Sequence, residues 1–106
     1  MNAIRFAWDK AKAAENLRKH GVSFEEASTV FADENARLKH DPDHSQEEDR
    51  FILLGFSATL RMLVVCHVYR EEEQIIRLIS ARKATRNERK QYGSYICEKN
   101  TTLLIR

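Results

Sequence analysis

Six cations crowd into the fourteen residues from Arg77 to Lys90: Arg77, Arg82, Lys83, Arg86, Arg89 and Lys90, with Glu88 the single acid among them. Held so close they repel one another, and an anionic ligand removes that repulsion. Phosphate is the obvious candidate. Arg77 alternates onto the same side of a strand-like run as Ile75 and Ile79. A guanidinium flanked by isoleucines cannot shed its charge, so it must reach solvent, a carboxylate or a ligand. Just downstream, Ser80-Ala81-Arg82-Lys83-Ala84-Thr85-Arg86 carries the chain from that strand into a helix. The first turn of such a helix offers free amides and a partial positive charge to phosphate oxygens, with Arg82, Lys83 and Arg86 around the same point. Two plainer readings fit the same residues: a solvated helix face, and ion pairs to acids upstream.

Proton transfer is the second chemistry on offer. His44 stands in the loop Asp41-Pro42-Asp43-His44-Ser45-Gln46-Glu47-Glu48-Asp49, just before Arg50. If that loop folds over the phosphate site, His44 is in place to exchange a proton with a ribose hydroxyl or a leaving oxygen; otherwise it is an exposed loop histidine. His20 is explained as a charge at a helix C-terminus, and His67 as a semi-buried strand imidazole. Pro42 between His40 and His44 forbids the helix that would put both on one face, which argues against zinc or another structural metal. The many carboxylates would allow a hydrolytic magnesium site, but nothing fixes their geometry, and no cofactor is expected. Serine or cysteine nucleophile motifs, glycine-rich phosphate loops and zinc-finger spacings are absent. Cys66 and Cys97 read as reduced packing residues.

A chain of 106 residues supports one domain and one core, and 42% apolar residues with 3 Gly and 1 Pro suit that demand. The charge is uneven: residues 1–50 carry 8 Lys and Arg against 11 Asp and Glu, residues 51–106 carry 10 against 5. No apolar run nears the ~18 residues of a membrane span, and the N-terminus lacks a secretory pattern, so the cytoplasm is the expected compartment.

Periodicity then supplies the elements. Asp9 caps a helix from Lys10 to His20 that Gly21 stops, and Ser23 with Glu26 forms a capping box for a second helix that ends by Asp33. A short strand at 36–40 precedes the acidic loop. Strands at 51–57, 61–69 and 74–80 follow, the second of them apolar on both parities and therefore central. Thr85 with Glu88 opens a last helix running to about Lys99. The expected fold is α+β: two N-terminal helices packed on a four-stranded antiparallel sheet, followed by a C-terminal helix.

Three stretches in this order and spacing, FAWDKAKAAENLRKHGVSFEEASTVF, HDPDHSQEEDRFILLGFS and IIRLISARKATRNERKQY, closely resemble the BrnT toxins of bacterial type II toxin–antitoxin modules, over about residues 4 to 92. The resemblance implies a single RelE-like domain of microbial ribonuclease type over residues 1–106, with 93–106 as an extension. It also implies RNA cleavage that halts translation, and neutralisation by a BrnA-type antitoxin with a ribbon-helix-helix part. Such an antitoxin binds DNA as a dimer, which implies a 2:2 heterotetramer that represses its own operon. The matching polar positions are Lys10, His20, Asp41, His44, Arg50, Arg77, Ser80, Arg82, Arg89 and Tyr92. Helix structure explains Lys10 and His20 equally well, and core packing Tyr92. Three features depart from the usual pattern: no glycine in the turn at Ala58-Thr59-Leu60-Arg61, a histidine at 67, and the added residues 93–106.

The resulting expectation is a metal-independent endoribonuclease in which a ribose 2′-hydroxyl attacks the adjacent phosphate. Arg77, Arg82 and Arg86 stabilise the developing charge, Arg50 positions the phosphate and His44 moves the proton. Lys83, Arg86, Arg89 and Lys90 bind RNA. The alternatives are a nucleic-acid-binding module without catalysis and a domain whose basic surface docks an acidic partner.

Overall fold

Asp9 Oδ1 accepts the amides of Ala11 at 2.8 Å and Lys12 at 3.1 Å and so starts helix α1, Lys10–His20. Gly21 ends it in the left-handed region, at φ 67°. Ser23 Oγ accepts the Glu26 amide at 3.0 Å to start α2, Phe24–Ser28. This second helix is shorter than its periodicity predicts. Ser28 Oγ donates to the Glu25 carbonyl and Thr29 Oγ1 to that of Glu26, and the chain tightens into a 3₁₀ turn over Thr29–Ala32. The capping box is also only half formed, because the Glu26 carboxylate turns away to Arg61, Ser57 and Thr59.

The computed structural model describes residues 4–44 and 48–94, and within them five strands form one sheet. These are β1 (Arg5–Ala7), β2 (Arg37–His40), β3 (Phe51–Phe56), β4 (Met62–Arg70) and β5 (Ile75–Lys83), in the spatial order β1-β5-β4-β3-β2. The four-stranded antiparallel expectation needs correcting on two counts. Strand β1 is an addition, and it pairs parallel to β5. Three residues, Arg5-Phe6-Ala7, are too few to show alternation, so only the pairing reveals them. Strand β5 also continues three residues past Ser80, taking Arg82 and Lys83 out of the connecting loop and into the sheet. A third helix, α3, follows over residues 86–94; the remainder of the helix expected to reach Lys99 lies outside the described residues. None of the described helices is long and apolar enough to cross a membrane.

The core divides by sheet face. Val22, Phe24, Ala27 and Val30 pack on Leu53, Leu63, Val65, Leu78 and Ala81, so α1, α2 and the 3₁₀ turn cover one face. On the opposite face Tyr92 of α3 packs on Leu54 and Val64. Two polar residues tie these layers. Buried Asn16 of α1 donates to the carbonyls of Val22 (2.9 Å) and Ala81 (2.8 Å) and accepts the Ala81 amide (3.1 Å). Since β1 pairs only with the first three residues of β5, Asn16 stands in for a neighbouring strand beyond them. Asp33 Oδ2 accepts the Phe56 amide and the Tyr92 hydroxyl, each at 2.9 Å, and so fastens α3 across the edge of β3. A side chain at Gly55 would meet that oxygen at 2.8 Å, which is why the strand carries glycine there.

Candidate active site

The open face of the sheet is set by register. Leu53, Leu63 and Val65 face the helices, so Ile52, Leu54, Val64 and Cys66 face away from them. On β5 strict alternation would turn Arg82 toward the helices along with Leu78. A β-bulge prevents this: Leu78 pairs with His67 and Ser80 with Cys66, leaving Ile79 as an extra residue. One inserted residue reverses the parity, so Ala81 enters the core while Ser80 and Arg82 join Arg77 on the open face.

Around that bulge lies a cleft of about 250 Å³ whose lining includes Asp41, Arg50, Cys66, Ile79, Ser80 and Arg82. Asp41 and Arg50 come from the two ends of the acidic loop, which the Asp41 amide closes by donating to the Arg50 carbonyl at 2.8 Å. Residues 41, 50, 80 and 82, distant in sequence, thus share one cavity. Cys66 is the residue that sequence reasoning passed over, as mere packing. Burial pushes its thiol up; Arg50 opposes the rise and Asp41 adds to it. At neutral pH it is a thiol, not a thiolate, and no nucleophile.

Arg82 is fixed in place. Its two terminal nitrogens donate to Glu88 at 2.8 and 2.9 Å, and this pairing holds the Glu88 carboxyl down at about 2. Glu88 Oε1 also accepts the Thr85 amide at 2.7 Å, while Thr85 Oγ1 accepts the Glu88 amide at 3.2 Å. The predicted capping box is therefore complete. It also corrects one expectation, because the helix start that the sequence offers to a phosphate is occupied by the carboxylate of Glu88.

The other expected site residues distribute as follows. Arg77 stands at the far end of β5, opposite Val68 and Ala7 and about 15 Å along the strand from Arg82, outside the cleft. Lys83, Arg86, Arg89 and Lys90 are solvent-exposed around the start of α3. The backbone of His44 closes a 3₁₀ turn, Pro42–His44, at the loop beside the cleft, but its side chain lies outside the described residues. His67 faces the helices, against Phe31 with ring centres 4.8 Å apart, and burial pulls its pKa down. Its Nδ1 donates to the Val65 carbonyl at 3.2 Å, the satisfied imidazole expected of it.

Comparison with known proteins gives this geometry a context. A family model described as ribonuclease toxin, BrnT, of type II toxin–antitoxin system matches residues 8–88. Among solved structures, the crystal structure of the Brucella abortus ribonuclease toxin BrnT is similar, with a TM-score of 0.60 and 22% identity, over 79% of this chain and 100% of that one. At that identity the likeness establishes a shared fold. No curated protein matches the chain. Membership of a toxin–antitoxin family implies an antitoxin as partner. The family match spans three quarters of the sequence, and the chain belongs to the BrnT family of ribonuclease toxins of type II toxin–antitoxin systems.

Proposed function

We propose that this chain is a metal-independent endoribonuclease of the RelE-like, microbial ribonuclease type, which cleaves RNA in the cytoplasm and so inhibits translation. The observation that carries the reading is the meeting of Arg50 and Arg82 with Ser80 in one cleft, in a chain of a ribonuclease family. The 2′-oxygen of one ribose attacks the adjacent phosphorus and the bond to the 5′-oxygen breaks, leaving a 2′,3′-cyclic phosphate and a free 5′-hydroxyl. No protein nucleophile is needed. Arg50 and Arg82 hold the non-bridging oxygens as charge builds on them, which is worth most where the donors are already fixed. Glu88 does that fixing for Arg82. His44, on the loop beside the cleft, takes the proton of the 2′-hydroxyl or gives one to the leaving oxygen.

Arg77, on the same face but farther along β5, takes a more distant phosphate, and Lys83, Arg86, Arg89 and Lys90 extend the basic surface for RNA. A BrnA-type ribbon-helix-helix antitoxin silences the toxin by laying carboxylates over residues 77–90, in a 2:2 heterotetramer that binds operator DNA through the antitoxin. The test is digestion of RNA by the purified chain in excess chelator, with analysis of the product ends. Cyclic phosphate ends, lost in His44→Ala, are the expected outcome. RNA that is bound but left intact would make the chain a binding module, and indifference to RNA a partner-docking domain.

A further inference from the structure

A second hollow on the open face adjoins the cleft. It measures about 510 Å³ and lies between β2, β3 and the flank of α3. Ile52, Leu54 and Val64 form its floor, Arg37 and Lys39 its outer rim, and Gln91 part of its wall. Ile52 and Val64 line both hollows, so the two are neighbours on the sheet. The Arg82–Glu88 pair stands on the boundary, with Arg82 lining the cleft and Glu88 the groove.

Register orders these residues into two rows across the sheet. One runs Arg37, Leu54, Val64, Arg82; the other runs Lys39, Ile52, Cys66, Ser80. Each begins on a cation of the edge strand, crosses uncharged side chains and ends in the cleft. Three strand spacings separate Arg37 from Arg82, about 14 Å between backbones. The apolar floor offers a surface for the flat face of a base, and the long cationic side chains at either end, reaching inward over it, offer charges to the phosphates that flank that nucleoside. Gln91 adds an amide that carries both a donor and an acceptor for a base edge. The backbone carbonyl of Gln91 accepts Arg37 Nη1 at 3.2 Å, which ties the rim to α3.

We propose that this groove holds the nucleoside next to the scissile phosphate, with its base on Ile52 and the edges of Leu54 and Val64 that Tyr92 leaves uncovered, and the next phosphate on Lys39 and Arg37. The RNA strand then crosses the sheet from the cleft toward β2. The proposal rests on the ribonuclease reading of the cleft, so its test uses RNA that cannot be cleaved.

A short fluorescent single strand carrying 2′-O-methyl groups is titrated against the wild type, Lys39→Ala, Arg37→Ala/Lys39→Ala and, as a control on the helix face, Lys12→Ala. Each lost phosphate contact lowers the slope of log affinity against log salt by about 0.7, which at 0.15 M salt is a loss of about fourfold for Lys39→Ala and more than tenfold for the pair. Lys39 is exposed on the edge strand, so its variant keeps the test valid if removal of Arg37 disturbs α3. An abasic strand of equal length is expected to bind the wild type about tenfold more weakly, because it has no apolar base to lay on the floor. With cleavable RNA, Lys39→Ala raises KM and leaves kcat unchanged. Unchanged affinity in Lys39→Ala, or an equal loss in Lys12→Ala, overturns the groove while the ribonuclease reading stands. A wild type that binds no RNA overturns both.

Discussion

Glu88 grips both terminal nitrogens of Arg82 and, through the same carboxylate, caps the helix that follows. The single acid of the basic run is therefore its organiser. It neutralises one of the six cations and gives that cation a fixed direction at the mouth of the cleft. A bidentate clamp of this kind exploits the planar fork of arginine, which lysine lacks.

Glu88→Gln keeps an acceptor for the cap but removes the charge that pins Arg82. Cleavage is expected to fall about tenfold, in kcat more than in KM, which corresponds to the ~1.5 kcal/mol of one charge-assisted hydrogen bond. In an Arg82→Ala background the same change should cost nothing further, since Glu88 acts through Arg82. An undiminished penalty in the double variant would show that Glu88 serves only the helix.

Acid stability follows from two carboxylates. Glu26 is pulled down to about 2, first by Arg61 and then by Thr59 and Ser57, and Glu88 to about 2, first by Arg82. Both start from 4.5. Because the folded values are depressed, the stability they confer is fully present above pH 4.5 and drains away as the pH falls toward 2. Denaturant midpoints measured from pH 6 to pH 2 should decline through that window, and Glu26→Gln should be less stable at neutral pH with a flatter decline. Parallel curves for variant and wild type would rule out the Glu26 contribution.

Asn16→Ala removes three buried hydrogen bonds and strands the amide and carbonyl of Ala81 next to Arg82. A loss of about 2–3 kcal/mol is expected, and the melting temperature should drop by at least about 10 °C for a domain of this size. Hydrogen exchange at Ala81 should accelerate more than at Leu63 on the inner strand. A variant that melts with the wild type would mean that water satisfies those groups.

What the sequence discloses depends on the range of the signal. Local signals are legible: the Asp9 and Ser23 caps, Gly21 as a stop, the two-sided apolar run of β4 and the Thr85–Glu88 box each lie within a few residues. Strand β1 is not legible, because three residues carry no period. The bulge at Ile79 is hidden for a different reason, as alternation read straight through it puts Arg77 and Arg82 on opposite faces. The partners of Asn16 and Asp33 lie across the fold, so one residue looks like an ordinary helix position and the other like a helix end. For the site, charge density identifies the basic run, and the resemblance singles out Asp41, Arg50, Ser80 and Arg82. That these four share a cleft with Cys66, and that Arg77 stands outside it, follows from strand register and from the Asp41–Arg50 hydrogen bond that closes the acidic loop.

The rate of RNA cleavage by Arg82→Ala and Arg50→Ala, each checked for an unchanged fold by thermal melting, bears most directly on the cleft as the seat of the chemistry. If the two guanidiniums hold the scissile phosphate, each variant should lose about 10²–10³ in kcat, the usual effect of deleting one fixed transition-state donor. Arg77→Ala, outside the cleft, should lose mainly affinity. Folded Arg82→Ala and Arg50→Ala proteins that cleave RNA at the wild-type rate would contradict this and move the active site elsewhere on the molecule.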